Sequence, residues 1–254
     1  MQEIYWYLKS CDLFGPLNDA EMRQIESRSR IRKFSRNSPI YLPIDQSDGV
    51  MLLAEGQVKI CSLTPDGKQS PLAFVEPGEL FGELAIFDSG SREEFAEATT
   101  ASTVVLIPAE TMREVTERNP AMAMGVTKLL GLRRRRVERR LKYLLFRSNR
   151  ERLVHLLLEL AEDYGQPEKG EIKLRIRLSH QDLASIIGST RETVTVILGQ
   201  LQNEGFLRLG RRKISMRHLE RLAQSVNAPA PRFERPGPEP GESLKNPLGR
   251  AISS

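Results

Sequence analysis

Residues Leu178–Gly205 constrain the fold more than any other stretch, because they are predicted to form two short helices joined by a tight turn. Ser179 stands where a helix N-cap belongs, and Asp182 three residues later completes a box-like start. Gly188 permits a turn that a residue with a side chain would strain. The spacing therefore predicts a helical pair with a sharp, fixed connection.

The second helix of this pair has one apolar and one polar face. Its inner face is formed by apolar residues at helical spacing, namely Val194, Ile197, Leu198 and Leu201. Arg191 and Glu192 lie in its first turn and point outward, and Gly205 ends it. This pattern is typical of a helix-turn-helix, whose second helix presents its N-terminal residues to DNA base edges. The alternative interpretation is an ordinary helical hairpin with a solvated Arg–Glu pair.

The stretch that follows strengthens the first interpretation. Residues Phe206–Met216 are predicted to form two short strands around the turn Gly210–Lys213. The turn carries three consecutive basic residues. A strand pair with a basic tip directly after the second helix is predicted to be a wing that contacts DNA phosphate.

Charge is compatible with a nucleic-acid partner but does not demand one. The 254 residues include 38 Lys and Arg against 33 Asp and Glu, which gives a net charge of +5. The positive charge is locally concentrated at Arg133–Arg136 and Arg211–Lys213. A modest excess of basic residues bears on which partners the protein binds and does not indicate a fold.

Other classes of protein are disfavoured by what the sequence lacks. Cys11 and Cys61 have neither disulfide-framework nor metal-ligand spacing, so a reducing cytoplasm is expected. No apolar run approaches the ~18 residues that span a bilayer, and the N-terminus does not resemble a secretion signal. The three histidines are scattered, so we expect no metal site.

The first part of the chain is predicted to be a compact β-barrel or roll. Residues up to about 109 have the pattern of short strands, and Gly56, Gly67 and Gly78 recur every eleven residues. Asp66-Gly67 is a hairpin-turn signal.

A long helix is predicted next, over residues 111–147, with a break where Pro120 starts a new helix. Apolar residues follow each other along it in three-, four- and seven-residue steps, namely Val126, Leu130, Val137, Leu141 and Leu144. This seam is typical of a short coiled coil with a partner helix. A helix packed on its own domain is the alternative.

The pattern divides the chain into four parts. Residues 1–118 form the sensory roll, 119–147 the dimerisation helix, and 148–226 the winged helix-turn-helix domain. Residues 227–254 are rich in Pro, Gly and charge and are expected to be disordered, because they bury too little apolar surface to offset the ordering entropy.

Two motifs in this order resemble the bacterial Crp/Fnr regulators, over about residues 8–225. Pro77–Arg92 resembles the cassette of cyclic-nucleotide-binding domains, and Ile187–Leu198 is similar to the family's recognition helix. The resemblance implies an α+β fold with an N-terminal β-roll, a long dimerisation helix and a C-terminal winged helix-turn-helix. It further implies a homodimeric transcription regulator on inverted-repeat sites, with RNA polymerase as a partner if it activates.

The resemblance also implies roles for individual residues toward DNA. Arg191 would donate to guanine and Glu192 would accept from cytosine, which suits their chemistry. Val196 stands where a second base-reading Arg is often found, and it offers at most an apolar contact to a thymine methyl group. Phosphate contacts are implied for Ser179, Gln181, Thr190, Thr193 and Arg212.

The effector is less clearly implied. Gly82, Glu83 and Arg92 stand where nucleotide-binding members hold the ribose and the cyclic phosphate. However, Glu93-Glu94 follows the arginine where the family pattern has small residues, and carboxylates repel a bound phosphate. Hydroxyl residues that contact adenine in the cyclic-AMP-binding member are replaced near Val137-Glu138. Both departures argue against cyclic AMP.

The sequence leaves several alternatives open. Arg133–Arg136 could be solvated surface, an ion-pair network with Glu93, Glu94 or Glu97, or a site for an anionic effector between subunits. Two cysteines cannot hold an iron–sulfur cluster, and no cofactor is predicted. The alternatives for function are a cyclic-nucleotide-responsive regulator and a ligand-sensing subunit that does not bind DNA. No nucleophile–base pair or phosphate-cradling loop indicates an enzyme.

Overall fold

The computed structural model describes residues 2–63, 69–88, 90–168, 170–210 and 213–231, and within these it describes every side chain except those of Gln2 and Arg136. Three predictions therefore lie outside the described residues. These are the hairpin turn at Asp66-Gly67, the wing-tip phosphate contact of Arg212, and the disorder of the tail beyond residue 231.

Two short helices and a 3₁₀ turn precede the first strand. They are α1 (Gln2–Lys9), a 3₁₀ turn (Asp12–Phe14) and α2 (Asp19–Arg28). α2 starts with a capping box, in which Asn18 and Glu21 satisfy each other's backbone N–H groups. Phe14, Met22 and Ile25 are buried against the strands that follow, so this segment closes one side of the roll.

The described residues of the roll form eight antiparallel strands in two sheets. The strands are β1 (Arg30–Phe34), β2 (Pro39–Tyr41), β3 (Gly49–Glu55), β4 (Val58–Leu63), β5 (Gln69–Val75), β6 (Leu80–Phe81), β7 (Phe95–Ala98) and β8 (Ser102–Pro108). One sheet has the order β1-β8-β3-β6 and the other β2-β7-β4-β5. Leu53, Val58, Phe81 and Val104 fill the core that the sheets share. A 3₁₀ turn at Glu83–Ile86 separates β6 from β7.

The long helix is broken as predicted. α3 (Ala109–Arg118) ends at Asn119, and α4 (Pro120–Phe146) begins with Pro120 at its first position. The Asn119 side chain accepts hydrogen bonds from the N–H groups of Ala121 and Met122. In the described part of the chain, no helix combines the length and the apolar character that crossing a bilayer requires.

The C-terminal domain, as far as the structure describes it, has four helices and a small sheet. The helices are α5 (Asn149–Tyr164), α6 (His180–Ile187), α7 (Arg191–Asn203) and α8 (Leu219–Gln224). The strands are β9 (Gly165–Glu168), β10 (Glu171–Leu174), β11 (Leu207–Gly210) and β12 (Lys213–Met216), in the order β11-β12-β10-β9. The strands β11 and β12 are the two arms of the predicted wing. The mixed helix and strand content and the order of its parts confirm the predicted α+β fold.

Candidate DNA-binding surface and effector pocket

The ends of α6 and α7 are set by short-range hydrogen bonds. Ser179 and Asp182 form the predicted capping box at the start of α6. Gly188 ends α6 in the left-handed region, at φ 63°. Thr190 then caps α7 by accepting from the N–H of Thr193 at 3.1 Å. Two helices are thus joined by a turn whose direction the sequence dictates.

Burial on one side of α7 leaves the other side open. Its inner residues Val194, Ile197, Leu198 and Leu201 pack in the core of the domain. Arg191 and Glu192 are exposed, and no other described residue pairs with either side chain. Val196 is 59 % exposed. The three residues predicted to read bases therefore lie on one accessible surface in the first half of the helix.

Ser179 must be withdrawn from the predicted phosphate contacts. Its hydroxyl donates to a carboxylate oxygen of Asp182 at 2.6 Å, and its backbone N–H donates to the same oxygen at 2.9 Å. A serine hydroxyl has only one hydrogen to donate. Ser179 therefore has no donor left for a phosphate oxygen.

The other described phosphate candidates keep a donor. Thr190 and Thr193 share one hydrogen bond of 2.9 Å between their hydroxyl groups, so one of the two hydrogens stays available. Gln181 makes a single long contact of 3.4 Å to Ser185. These three side chains are exposed or half-buried around the start of α7 and can face a DNA backbone.

One contact at this surface was missed by sequence reasoning. His180 Nδ1 lies 2.8 Å from the hydroxyl oxygen of Thr195, which joins the start of α6 to the outer face of α7. The two residues are fifteen positions apart. Only the crossing of the two helices brings them together, although the polar character of both side chains at helical positions could have flagged them.

In the roll, Arg92 is held by groups of the protein itself. Its Nη2 donates to the carbonyl oxygen of Gly49 at 2.7 Å, and its guanidinium lies 4.3 Å from the centre of the Tyr41 ring. Gly82 adopts φ 67°, and a Cβ there would come within 2.6 Å of Arg92 Nη1. Gly82 is thus required both by its backbone conformation and by the close approach of the arginine.

Glu83 is paired with the long helix. The carboxylate is 6 % exposed and forms an ion pair with Arg133 of α4. Arg133 also donates to the carbonyl oxygen of Leu80 at 2.7 Å. Arg133 of the arginine cluster therefore forms an ion pair, as one of the alternatives predicted. Its partner is Glu83 rather than a carboxylate of residues 93–97. Arg134 instead pairs with Glu138 on the exposed side of α4.

Glu94 belongs to the same cluster. Its carboxylate accepts a hydrogen bond from the Tyr41 hydroxyl at 3.5 Å, whereas Glu93 is exposed. Burial and the nearby charge of Glu83 raise the pKa of Glu94, and Arg133 and Arg92 oppose this. The Glu94 carboxylate therefore interacts electrostatically with both Arg92 and Arg133.

The predicted dimer seam requires a correction at its start. Val126 is only 2 % exposed and packs in the core that the roll shares with α1 and α2, so it cannot contact a second chain. Leu130 packs partly against the same core. Val137, Leu141 and Leu144 are exposed in the single chain, with Val137 at 66 %. The apolar row open to a partner therefore begins beyond Leu130.

Two family models match the chain. The cyclic nucleotide-binding domain matches residues 31–119, and the Crp-like helix-turn-helix domain matches residues 151–225. A global nitrogen regulator of Nostoc is 31 % identical over 188 residues, which cover 73 % of this chain and 84 % of the relative. The chain belongs to the Crp/Fnr family of transcriptional regulators.

Other members of the Crp/Fnr family agree with this assignment. A CRP-like cAMP-activated global transcriptional regulator of Mycobacterium tuberculosis is 29 % identical over 191 residues, which cover 75 % of this chain and 85 % of the relative. The structure of FixK2 from Bradyrhizobium japonicum aligns with a TM-score of 0.68 at 25 % identity, over 80 % of this chain and 98 % of FixK2. The relatives from Nostoc and M. tuberculosis are regulators rather than enzymes, and the helix-turn-helix of this Crp/Fnr member is a DNA-binding domain.

Proposed function

We propose that the protein is a homodimeric, sequence-specific transcription regulator that binds inverted repeats in double-stranded DNA. The observation that carries this proposal is the open start of α7, where Arg191 and Glu192 project without an intramolecular partner in the described chain. Arg offers two parallel donors to guanine, and Glu accepts from cytosine. Val196 stands where a third residue could have formed a hydrogen bond to a base. Hydrogen bonds therefore read fewer base pairs of each half-site.

Dimerisation is proposed to bury the exposed row Val137, Leu141 and Leu144 against the same row of a second chain. Their spacing of four and three residues places them on one stripe of α4. A two-fold axis along this stripe would set two recognition helices about 34 Å apart, which corresponds to one turn of DNA. Contact with RNA polymerase is proposed only for sites at which the protein activates.

We propose that cyclic AMP is not the effector. Glu94 lies beside Arg92 and Arg133, and a phosphate at Arg92 would meet this carboxylate. At ~4 Å and an effective dielectric constant of about 20, two like charges repel by about 4 kcal/mol. Arg133 is also engaged by Glu83, so α4 is tied to the roll by the protein's own groups.

A cyclic-nucleotide-responsive regulator is the second candidate. It is favoured by Gly82, Glu83 and Arg92, which stand together at the cassette, and by the name of the M. tuberculosis relative. Under this alternative, a ligand would have to displace Glu94 and compete for Arg133.

Selection of bound sequences from random double-stranded DNA tests the proposal. The purified full chain is used with and without added cell extract. Enrichment of an inverted repeat with half-sites one helical turn apart is expected. Enrichment only with extract would show that a small molecule is required, whereas no enrichment in either arm overturns the proposed function.

A further inference from the structure

His180 is a polar residue of the candidate DNA-binding surface that is not among the predicted base or phosphate contacts. It is the first residue of α6, it is half-buried, and its Nδ1 lies 2.8 Å from Thr195 Oγ1 on α7. Gln181, a candidate for a phosphate contact, follows it directly. Thr195 lies one turn after Arg191 on the outer side of α7, so the pair borders the surface that reads bases.

The hydrogen bonds around Thr195 determine which nitrogen of His180 carries a proton. The Thr195 hydroxyl donates to the carbonyl oxygen of Arg191 at 2.8 Å, and a carbonyl oxygen can only accept. A threonine hydroxyl has one hydrogen, so Thr195 can only accept from His180. Nδ1 therefore carries the proton when the ring is neutral, and Nε2 is left as a bare acceptor.

The surrounding charges leave this edge of the ring available. Asp182 of α6 is bonded to Ser179 and lies 4.0 Å from Lys59 of β4. Arg191 and Glu192 of α7 have no intramolecular partner in the described chain. None of these charged groups pairs with His180 there, so the ring is free to respond to an external charge.

We propose that His180 is a protonation-dependent contact to a DNA phosphate, with Thr195 holding the imidazole in place. The charged ring donates through Nε2 to a phosphate oxygen, while Nδ1 keeps its bond to Thr195. In the neutral ring, Nε2 is an acceptor without a proton. It would face a phosphate oxygen, which is also an acceptor, and the two would repel each other. This inference rests on the proposed DNA-binding function and adds a pH response to it.

The direction of the pH response follows from linkage. A phosphate next to the ring favours the charged form, so DNA binding takes up a proton. Affinity therefore increases as the pH falls and the imidazole becomes protonated. One linked proton per protomer allows at most about a tenfold change in affinity per pH unit for each half-site.

The test measures DNA affinity by fluorescence anisotropy from about pH 5.5 to 8.5 at constant salt, a range that brackets imidazole titration. The probe is a duplex obtained from the random-DNA selection, and the protein is the full chain. The variants are His180→Gln, His180→Arg and Thr195→Val. His218→Asn is the matched control, since it removes a histidine of the same domain at a left-handed position that Asn tolerates.

We expect the wild type and His218→Asn to bind more tightly as the pH falls. His180→Gln should be insensitive to pH over this range and should bind more weakly than the wild type at low pH, whereas His180→Arg should be insensitive and tight throughout. Thr195→Val should retain part of the pH response. The dependence of log affinity on log salt concentration should be steeper for His180→Arg than for His180→Gln, by about one unit per half-site. The reason is that the arginine keeps one charged contact to phosphate.

Two results would overturn the inference while leaving the proposed function intact. One is a flat wild-type profile, and the other is a pH response that His180→Gln retains. If His180 only packs α6 against α7, the variants would lower the free energy of unfolding without changing the pH profile of DNA binding. Failure of the wild type to bind any selected duplex would overturn the proposed function as well.

Discussion

The Tyr164 hydroxyl donates a hydrogen bond of 2.9 Å to the carbonyl oxygen of Phe74 and ties the end of α5 to strand β5 of the roll. The two rings also meet edge to face, with centroids 6.3 Å apart. Arg175 pairs with Glu76 at 2.8 Å beside them. The roll and the DNA-binding domain of one chain therefore contact each other directly, in addition to their connection through α4.

Tyr164→Phe should weaken this contact. The loss of one buried hydrogen bond is expected to lower the free energy of unfolding by about 1 kcal/mol, because the ring still packs. Urea unfolding followed by circular dichroism would measure it. Tyr7→Phe is the control, since its hydroxyl contacts Glu3 and Glu55 at the surface. Equal effects of the two substitutions would contradict the importance of the interdomain bond.

Glu76 should give this contact a pH dependence. Burial raises the pKa of Glu76 from 4.5 to about 7, Arg175 opposes this, and Glu79 and Asp163 add to it. The folded protein therefore binds more protons than the unfolded chain between about pH 4.5 and 7, so the contribution of Glu76 to stability is lost as the pH rises through this window.

Urea unfolding at a series of pH values would check the sign of the Glu76 effect. The unfolding free energy of the wild type should decrease relative to that of Glu76→Gln as the pH rises from about 4.5 to about 7. The difference should then level off. Glu220→Gln, an exposed position on α8, serves as the control. A difference that does not change with pH would contradict the raised pKa.

Local features were predictable from the sequence because short-range hydrogen bonds set them. Ser179, Gly188 and Thr190 fix the ends of α6 and α7 through neighbours only a few residues away. The start of α4 at Pro120 follows from the same kind of local rule.

Partners distant along the chain were not predictable in the same way. The seam repeat could not show that the roll covers Val126, because periodicity defines a face of a helix but not what packs on it. Arg133 selects Glu83, fifty residues away, over carboxylates that the sequence made equally plausible. Likewise, the bond between His180 and Thr195 depends on how two helices cross.

The dimer seam makes a prediction about assembly. The double variant Val137→Glu, Leu141→Glu should sediment as a monomer, because it would place four carboxylates in one apolar contact between two chains. Lys142→Glu is the control, because it changes charge at an exposed position of α4 outside the apolar row. A double variant that sediments together with the wild type would show that the interface lies elsewhere.

Glu94 makes a prediction about the effector pocket. Calorimetry should detect no binding of cyclic AMP to the wild type up to about 1 mM, which corresponds to a binding free energy of about −4 kcal/mol. Glu94→Ala removes the carboxylate beside Arg92 and should improve this affinity at least ~10-fold, since the repulsion that it relieves is about 4 kcal/mol. Glu93→Ala, at the exposed neighbour, should have no such effect. Micromolar binding by the wild type, coupled to tighter DNA binding, would reverse this interpretation.

Arg191 makes a prediction about readout. Arg191→Ala should lose about 1–3 kcal/mol at one guanine and flatten the sequence preference at that position, because a bidentate donor pair is removed. Competition binding against duplexes with each base substituted in turn would measure it.

The wing provides the comparison for Arg191. Arg212→Ala is expected to weaken binding to all sequences alike and to reduce the salt slope by about one unit, since it removes a phosphate contact without sequence information. If both substitutions reduced sequence preference equally, base reading and phosphate binding would not be divided between α7 and the wing. If Arg191→Ala changed only the salt slope, Arg191 would be a phosphate contact, and the base contacts would have to come from Glu192 and Val196.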